Sequence, residues 1–94
     1  MPIIKVKGRL KMNLCFLKGK IVSNIKFDFI LNSPNISIAK FKIRLHNKSI
    51  ITIKSYNKIA NWCYQKLVKG DIVAIKGELN SKMEIILNEI DYLG

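Results

Sequence analysis

Basic side chains alternate with apolar ones between Ile36 and His46. Lys40, Lys42 and Arg44 share one parity, so in an extended strand they would project to one face and the intervening side chains to the other. A row of cations at this spacing can follow the phosphates of an unpaired nucleic-acid strand. The same pattern also fits an ordinary solvated sheet face, and the spacing alone leaves both interpretations open.

The next extended segment, Ser49 to Tyr56, offers a second polar set with an aromatic ring. A tyrosine can receive a base by stacking, which contributes roughly 1–3 kcal/mol per base, although Tyr56 could instead cover the start of a helix. Basic residues of an earlier strand extend the set. We predict a nucleic-acid-binding surface made of Lys18, Lys20, Lys40, Lys42, Arg44, Thr52, Lys54 and Tyr56.

The charge of the chain is strongly positive and unevenly distributed. The 94 residues include 17 Lys and Arg against 6 Asp and Glu, for a formal charge of +11. Residues 1–47 contain ten basic and one acidic side chain, and residues 48–94 contain seven and five. A concentrated positive field favours a polyanionic partner. Ile, Lys and Asn have AT-rich codons and are abundant, which indicates an AT-rich genome and explains part of the lysine content.

Residues suited to catalysis or metal binding are few. There is one histidine, His46, which we place on the surface, and the two cysteines share no metal-ligand spacing. Cys15 and Cys63 are predicted to be reduced thiols packed as small core residues. Five of the six carboxylates follow residue 70, and no phosphate loop or nucleophile–base set is present. We therefore predict a protein that is not an enzyme and has no metal or cofactor.

The elements that must position these residues are mostly strands. Alternation and turn residues predict strands over 13–22, 25–30, 36–46, 49–56, 72–79 and 83–93, with a turn cluster at 32–35. A change of apolar parity near Ala39 predicts a β-bulge. Asn57 is predicted to cap a helix that runs to about Leu67, with Trp62 plugging the end of a barrel. Phe41 is predicted to lie in the core.

If the first two strands count as one bent strand, the order is three strands, a helix and two strands. This order predicts an all-β, five-stranded OB-fold barrel with one helix between strands 3 and 4. Residues 12–94 form the predicted domain. Residues 1–11 are set apart as a basic N-terminal arm, either flexible or an artefact of the choice of start codon. No segment reaches the roughly 20 apolar residues of a membrane span, and we expect neither a membrane partner nor a secretion signal.

Several ordered motifs resemble the bacterial single-stranded DNA-binding protein (SSB) family. They begin with Met12-Asn13 and Leu17-x-Gly19-x-Ile21, and they continue with Ile38-Ala39-x-Phe41-x-Ile43. The strongest stretch covers Tyr56-x-Lys58-Ile59-Ala60 and then Leu67-x-Lys69-Gly70-Asp71-x-Val73-x-Ile75-x-Gly77-x-Leu79. The short turn at 80–82 and the ending from Ser81-Lys82-Met83 to Ile90-x-x-Leu93 resemble the PriB type of primosomal protein. The segment Met12-Asn13-Leu14-Cys15 resembles the start of short SSB-like proteins of cyanobacteria and plastids.

The resemblance implies sequence-tolerant binding of single-stranded DNA in replication, repair or recombination. It also implies a homodimer or homotetramer and a plastid stroma or bacterial cytoplasm. The chain departs from the family by placing Ile50 where a stacking Trp is expected, so that Tyr56 alone falls on a recognised stacking position. Two alternatives stay open: an RNA-binding OB domain, and a protein-interaction OB module in a replication or ribosomal assembly.

Overall fold

The computed structural model describes residues 14–94, so the predicted basic arm over 1–11 lies outside the described residues. Six strands and one helix make up the described chain. Their bounds are β1 Leu14–Ile21, β2 Lys26–Ile30, β3 Ser33–Leu45, β4 Ile50–Tyr56, α1 Asn57–Lys66, β5 Ile72–Leu79 and β6 Ile85–Tyr92. No helix among these residues is long and apolar enough to cross a membrane.

Five strands close into a barrel. The hydrogen-bonded order is β1-β5-β6-β4-β3, and β1 also pairs with β3, which completes the ring. All of these pairings are antiparallel except β4 with β6, which is parallel and involves Ile53↔Ile85 and Lys54↔Ile86. The helix connects β4 to β5. This arrangement is the OB-fold that the sequence predicts.

The bent first strand is divided into β1 and β2, both antiparallel to β3. Ile21 lies opposite Ile43 and Lys26 lies opposite Lys40, so four residues, Val22–Ile25, face only two on β3. The Ser23 hydroxyl accepts a hydrogen bond from the Lys42 N–H (2.9 Å), which satisfies a donor that the interruption would leave unpaired. The break lets β2 leave the ring and extend the sheet beyond β3.

Apolar side chains of alternate positions fill the barrel. Phe41, Ile43 and Ile53 are buried on the inner faces of β3 and β4, so the predicted core position of Phe41 is confirmed. Ala60, Cys63 and Leu67 of α1 and the residue after it cover one end of this core. Cys63 is fully buried as predicted, whereas Cys15 is partly buried and packs against the core cluster.

The predicted bulge at Ala39 is wrong. The pairing of β3 with β4 runs without a shift from Ile38↔Tyr56 to Arg44↔Ile50, and Ala39 is buried in phase with Phe41. The apolar positions change parity because Ile36 is an apolar residue on the outer face, where it is 36% exposed. No extra residue is inserted into the β3–β4 pairing. The irregularity lies instead between β2 and β3, at Phe29/Ile30. The strand also begins earlier than predicted, since the turn occupies only Leu31 and Asn32.

Two predictions about the helix are wrong. Asn57 does not cap α1: the N-cap is Tyr56, without a side-chain cap, and the Asn57 Oδ1 accepts a hydrogen bond from the Ser37 N–H (3.3 Å). Trp62 does not plug the barrel, because it lies on the outer side of α1 and is 36% exposed. Small side chains, Ala60 and Cys63, take the inward positions instead.

Glycines permit the closest backbone contacts of the barrel. A Cβ on Gly19 would lie 2.7 Å from the Arg44 carbonyl oxygen, where β1 passes from β5 to β3. A Cβ on Gly77 would collide with the Ile86 carbonyl oxygen, beside the register shift between β5 and β6. Both positions therefore need a residue without a side chain, as expected where a strand bends or another backbone approaches.

Candidate nucleic-acid interface

Three lysines form a continuous row across the outer face of three neighbouring strands. Lys26 of β2 lies opposite Lys40 of β3, and Lys40 lies opposite Lys54 of β4. Side chains directly opposite one another on antiparallel strands have Cβ atoms about 4.5–5.5 Å apart. We call these residues, Lys26, Lys40 and Lys54, the lysine row. Three adjacent cations create a strong local positive potential on the outer surface.

Further basic residues continue beside the lysine row. Lys42 lies opposite Thr52, two residues along β3 and β4. Beyond it, Lys20 of β1 lies opposite Arg44, which in turn lies opposite Ile50. The exposed cations on this side of the barrel are named the basic face: Lys20, Lys26, Lys40, Lys42 and Arg44.

The structure thus brings together most of the predicted site residues. Lys40, Lys42, Arg44, Thr52 and Lys54 occupy neighbouring positions on the outer sides of β3 and β4. Their predicted role in binding stays a prediction.

Tyr56 lies at the end of the same face. It pairs with Ile38, one outward position beyond Lys54, and it is half-buried. Its backbone is extended (φ −128°, ψ 149°) at the junction with α1. The side chain therefore continues the outward series of β4 and keeps part of its ring accessible to a stacked base.

Lys18 stands apart from the basic face. It lies opposite Ala74 on β5, in a shallow groove that it shares with Phe16, Glu89 and Asp91. Lys76 lines the same groove and lies 3.6 Å from the Glu89 carboxylate. Lys20 is the only one of the two predicted β1 lysines that lies beside a basic residue of β3.

A groove of about 470 Å³ borders the lysine row. Its lining residues come from the β1–β2 connection, from β2, β3 and β4, and from the segment before β6. They are Ser23, Asn24, Lys26, Lys40, Phe41, Lys42, Thr52 and Glu84. This volume falls at the lower end of the range for small-ligand sites. The groove can therefore take one nucleotide of a longer strand.

Glu84 supplies the only carboxylate among the described residues lining this groove. Its Oε1 lies 3.2 Å from the Lys54 Nζ and accepts a hydrogen bond from the Asn80 Nδ2 (3.0 Å). The Asn80 hydrogen bond, followed by Lys54, lowers the pKa of Glu84 below its ordinary value. The carboxylate is therefore ionised near neutral pH, and it partly neutralises Lys54, which makes Lys54 less available to a phosphate than Lys26 or Lys40.

Sequence reasoning missed Lys26 and Glu84. Lys26 alternates in phase with Asp28 in a predicted strand, but its place in the lysine row depends on which residue of β3 faces it. Glu84 follows a turn that the Asn80 side chain organises by accepting hydrogen bonds from the N–H groups of Lys82 and Glu84 (2.9 Å each). The strand position and charge of Lys26 could have placed it in a basic cluster. No local sequence pattern indicated that Glu84 lines the groove.

Several solved structures that share this fold are named as single-stranded DNA-binding proteins or domains. The SSB domain of a Synechococcus protein matches with a TM-score of 0.76 at 17% identity, over 84% of this chain and 93% of that one. The mitochondrial single-stranded DNA-binding protein of S. cerevisiae matches with a TM-score of 0.75 at 17% identity, over 85% and 92%.

The single-stranded DNA-binding protein of Thermus aquaticus is also similar, with a TM-score of 0.76 at 14% identity over 87% of this chain. The match spans 40% of the Thermus chain. No family sequence model and no curated protein sequence matches the chain. The structural likeness confirms, at the level of fold, the resemblance that the ordered motifs indicated.

Proposed function

We propose that this protein binds single-stranded DNA, without strong sequence preference, along the basic face and over Tyr56. The observation that supports this most directly is the lysine row, in which Lys40 faces a lysine on both neighbouring strands. Like charges directly opposite one another destabilise a sheet. A bound phosphate backbone removes that repulsion, so the arrangement is favourable when a polyanion occupies the face.

Electrostatics dominates the proposed affinity. Five phosphate contacts on the basic face give a slope of log K against log salt of about −3.5 for a single strand. One aromatic ring adds roughly 1–3 kcal/mol per stacked base. Binding therefore weakens steeply with salt and depends little on base sequence outside the groove.

The structural neighbours named as single-stranded DNA-binding proteins support DNA as the physiological ligand. We extend the proposal to a role without catalysis in replication, repair or recombination. We also propose assembly into a homodimer or homotetramer, since residues 16–18 of β1 pair only with β5 among the described residues. The abundance of Ile, Lys and Asn, which have AT-rich codons, supports a plastid or bacterial location.

Fluorescence anisotropy with labelled oligonucleotides tests the proposal. We expect (dT)15 to bind well at low salt, a duplex of equal length to bind more weakly, and a salt slope near −3.5. A variant with Lys26, Lys40 and Lys42 all changed to Gln should lose most binding. Triple replacement of Lys58, Lys66 and Lys69, which lie in or after α1, is the matched control and should bind nearly as wild type.

Three results would contradict the proposal. Stronger binding of (rU)15 than of (dT)15 would favour the RNA-binding alternative. Failure to bind any oligonucleotide at low salt would favour the alternative of a protein-interaction module. Equal loss of binding in the two triple variants would mean that net charge, rather than the basic face, determines affinity.

A further inference from the structure

An apolar patch continues the outer face of the sheet beyond the lysine row. Ile38 is the next outward position of β3 after Lys40, and it lies opposite Tyr56 of β4. Ile36 follows on the same side, since Ser37 between the two isoleucines is buried. We call Ile36, Ile38 and Tyr56 the apolar patch. Two residues along a strand span about 7 Å, and this is the spacing between the patch and the lysine row.

The apolar patch is accessible from solvent. Ile36 is 36% exposed, and Ile38 and Tyr56 are half-buried. Single exposed apolar side chains are common on protein surfaces, but neighbouring ones on an otherwise charged face favour contact with a partner. The partner must match both parts of this face, because the apolar patch and the lysine row are adjacent.

Charges on both sides of Ile38 determine which part of a nucleotide can lie there. The lysine row attracts phosphates. Asp28 of β2 lies opposite Ile38 and is exposed, and its carboxylate repels phosphates from the patch. A base has no charge and presents a flat apolar face, so neither the side chains of the patch nor Asp28 opposes it.

We infer that the apolar patch receives bases of a single strand whose phosphates follow the lysine row. The inference rests on the proposed binding of single-stranded DNA and adds Ile36 and Ile38 to the residues that contact it. A deoxyribose separates phosphate and base by a distance comparable to that between the lysine row and the patch. Tyr56 stacks on one base, and the isoleucines cover an adjoining base with aliphatic surface. Contact with base faces accepts any sequence.

The test compares (dT)12 with a 12-residue abasic strand, which has the same phosphates and no bases. At constant low salt we expect wild type to bind (dT)12 about tenfold more tightly, within the range for one stacked base. The double variant Ile36→Thr/Ile38→Thr should bind (dT)12 about fivefold more weakly, close to the effect of one buried methylene group. It should bind the abasic strand as wild type does, with an unchanged salt slope.

The double variant Val68→Thr/Leu93→Thr is the matched control. Both side chains are exposed and lie outside β2, β3 and β4, so its binding of (dT)12 should equal that of wild type. Ile36→Thr alone, at the more exposed position of the patch, should show a smaller loss in the same direction if the double variant unfolds. In methyl NMR spectra, ring currents of (dT)12 should shift the signals of Ile36 and Ile38, and the abasic strand should not.

Three results would overturn the inference and leave phosphate binding along the basic face standing. They are equal binding of (dT)12 and the abasic strand by wild type, an unchanged affinity for (dT)12 in both isoleucine variants, and an equal loss of both strands in the variants. The second result would leave the patch to an apolar segment of a protein partner, and the third would assign it a structural role. Absence of binding to (dT)12 at low salt would overturn the proposed function and this inference together.

Discussion

Lys40 faces Lys54 directly across the β3–β4 pair, and only Lys54 has a carboxylate partner, Glu84. The ion pair thus relieves one end of the lysine row, while Lys26 and Lys40 face each other without an ion-pair partner among the described residues. This division separates two roles within one face. Lys26 and Lys40 remain for phosphates, whereas Lys54 is held by Glu84.

Lys40→Gln tests the central position of the row. We expect the slope of log K against log salt to become less steep by about 0.7, because one phosphate contact is lost. The free energy of unfolding should not fall, since the change removes cross-strand repulsion. Anisotropy at several salt concentrations and urea unfolding measure the two quantities. An unchanged slope in Lys40→Gln would remove Lys40 from the interface; Lys66→Gln on α1 is the control.

Tyr56 should contribute through its ring and not through its hydroxyl. We expect Tyr56→Ala to weaken binding of (dT)15 by about 1–3 kcal/mol and Tyr56→Phe to preserve it. Because the side chain is half-buried, circular dichroism should establish that the alanine variant is folded. Tyr92→Ala, at an exposed ring at the end of β6, controls for loss of an aromatic elsewhere. Equal affinities for wild type and Tyr56→Ala would assign Tyr56 a structural role.

Gly77→Ala should destabilise the barrel. The added Cβ would meet the Ile86 carbonyl oxygen and approach the Ile85 Cγ2 to 2.6 Å, so β5 and β6 must separate locally. Overpacking of this kind costs about 1–3 kcal/mol. Urea unfolding should show a lower midpoint for Gly77→Ala and little change for Glu78→Ala, the exposed neighbouring position. A midpoint equal to that of wild type would mean that the strands adjust without cost.

The Cys63 thiol should be unreactive in the folded protein. Burial raises its pKa to about 11, against an opposing effect of the Ser55 hydrogen bond. Ellman's reagent at pH 8 should therefore modify Cys63 only on unfolding, and a Cys63→Ala variant identifies the signal of Cys15. Rapid modification of Cys63 in native buffer would contradict its burial.

The same pKa difference predicts a pH dependence of stability. The unfolded thiol ionises near pH 9 and the folded one near 11, so the stabilisation is intact below pH 9 and is lost as the pH rises toward 11. Urea unfolding across this range should show a steeper decline for wild type than for Cys63→Ala. Parallel declines would indicate that ionisation of Cys63 does not contribute to the loss of stability at high pH.

Local patterns in the sequence were sufficient to predict which side chains are buried in strands that have one buried face. Alternation in β3 and β4 placed Phe41 and Ile53 inside and Lys40 and Lys54 outside, because neighbouring side chains of a strand must point to opposite faces. The fold class follows from these strands and the single helix.

Features that depend on distant partners were not predictable in this way. The Asn57 side chain accepts from Ser37, twenty residues earlier, instead of capping its own helix. Trp62 has the size of a barrel plug, but Ala60 and Cys63 are the buried residues of α1 and Trp62 is 36% exposed. The position of Lys26 opposite Lys40 is set by the residues inserted at 22–25, whose hydrogen bonds go to Lys42. Each of these positions depends on contacts with residues distant in the sequence, which local sequence patterns do not specify.

The parallel pairing of β4 with β6 joins the β3–β4 and β5–β6 hairpins over only two residue pairs. β4 and β6 can therefore separate while the β3–β4 and β5–β6 hairpins stay intact. The Lys54–Glu84 ion pair connects the two sides of this pairing. We expect the amide protons that β6 directs toward β4 to exchange with solvent faster than those of the β3–β4 hairpin, and a bound strand to slow them. Amide exchange at the β4–β6 pairing would then show whether a ligand occupies the neighbouring groove.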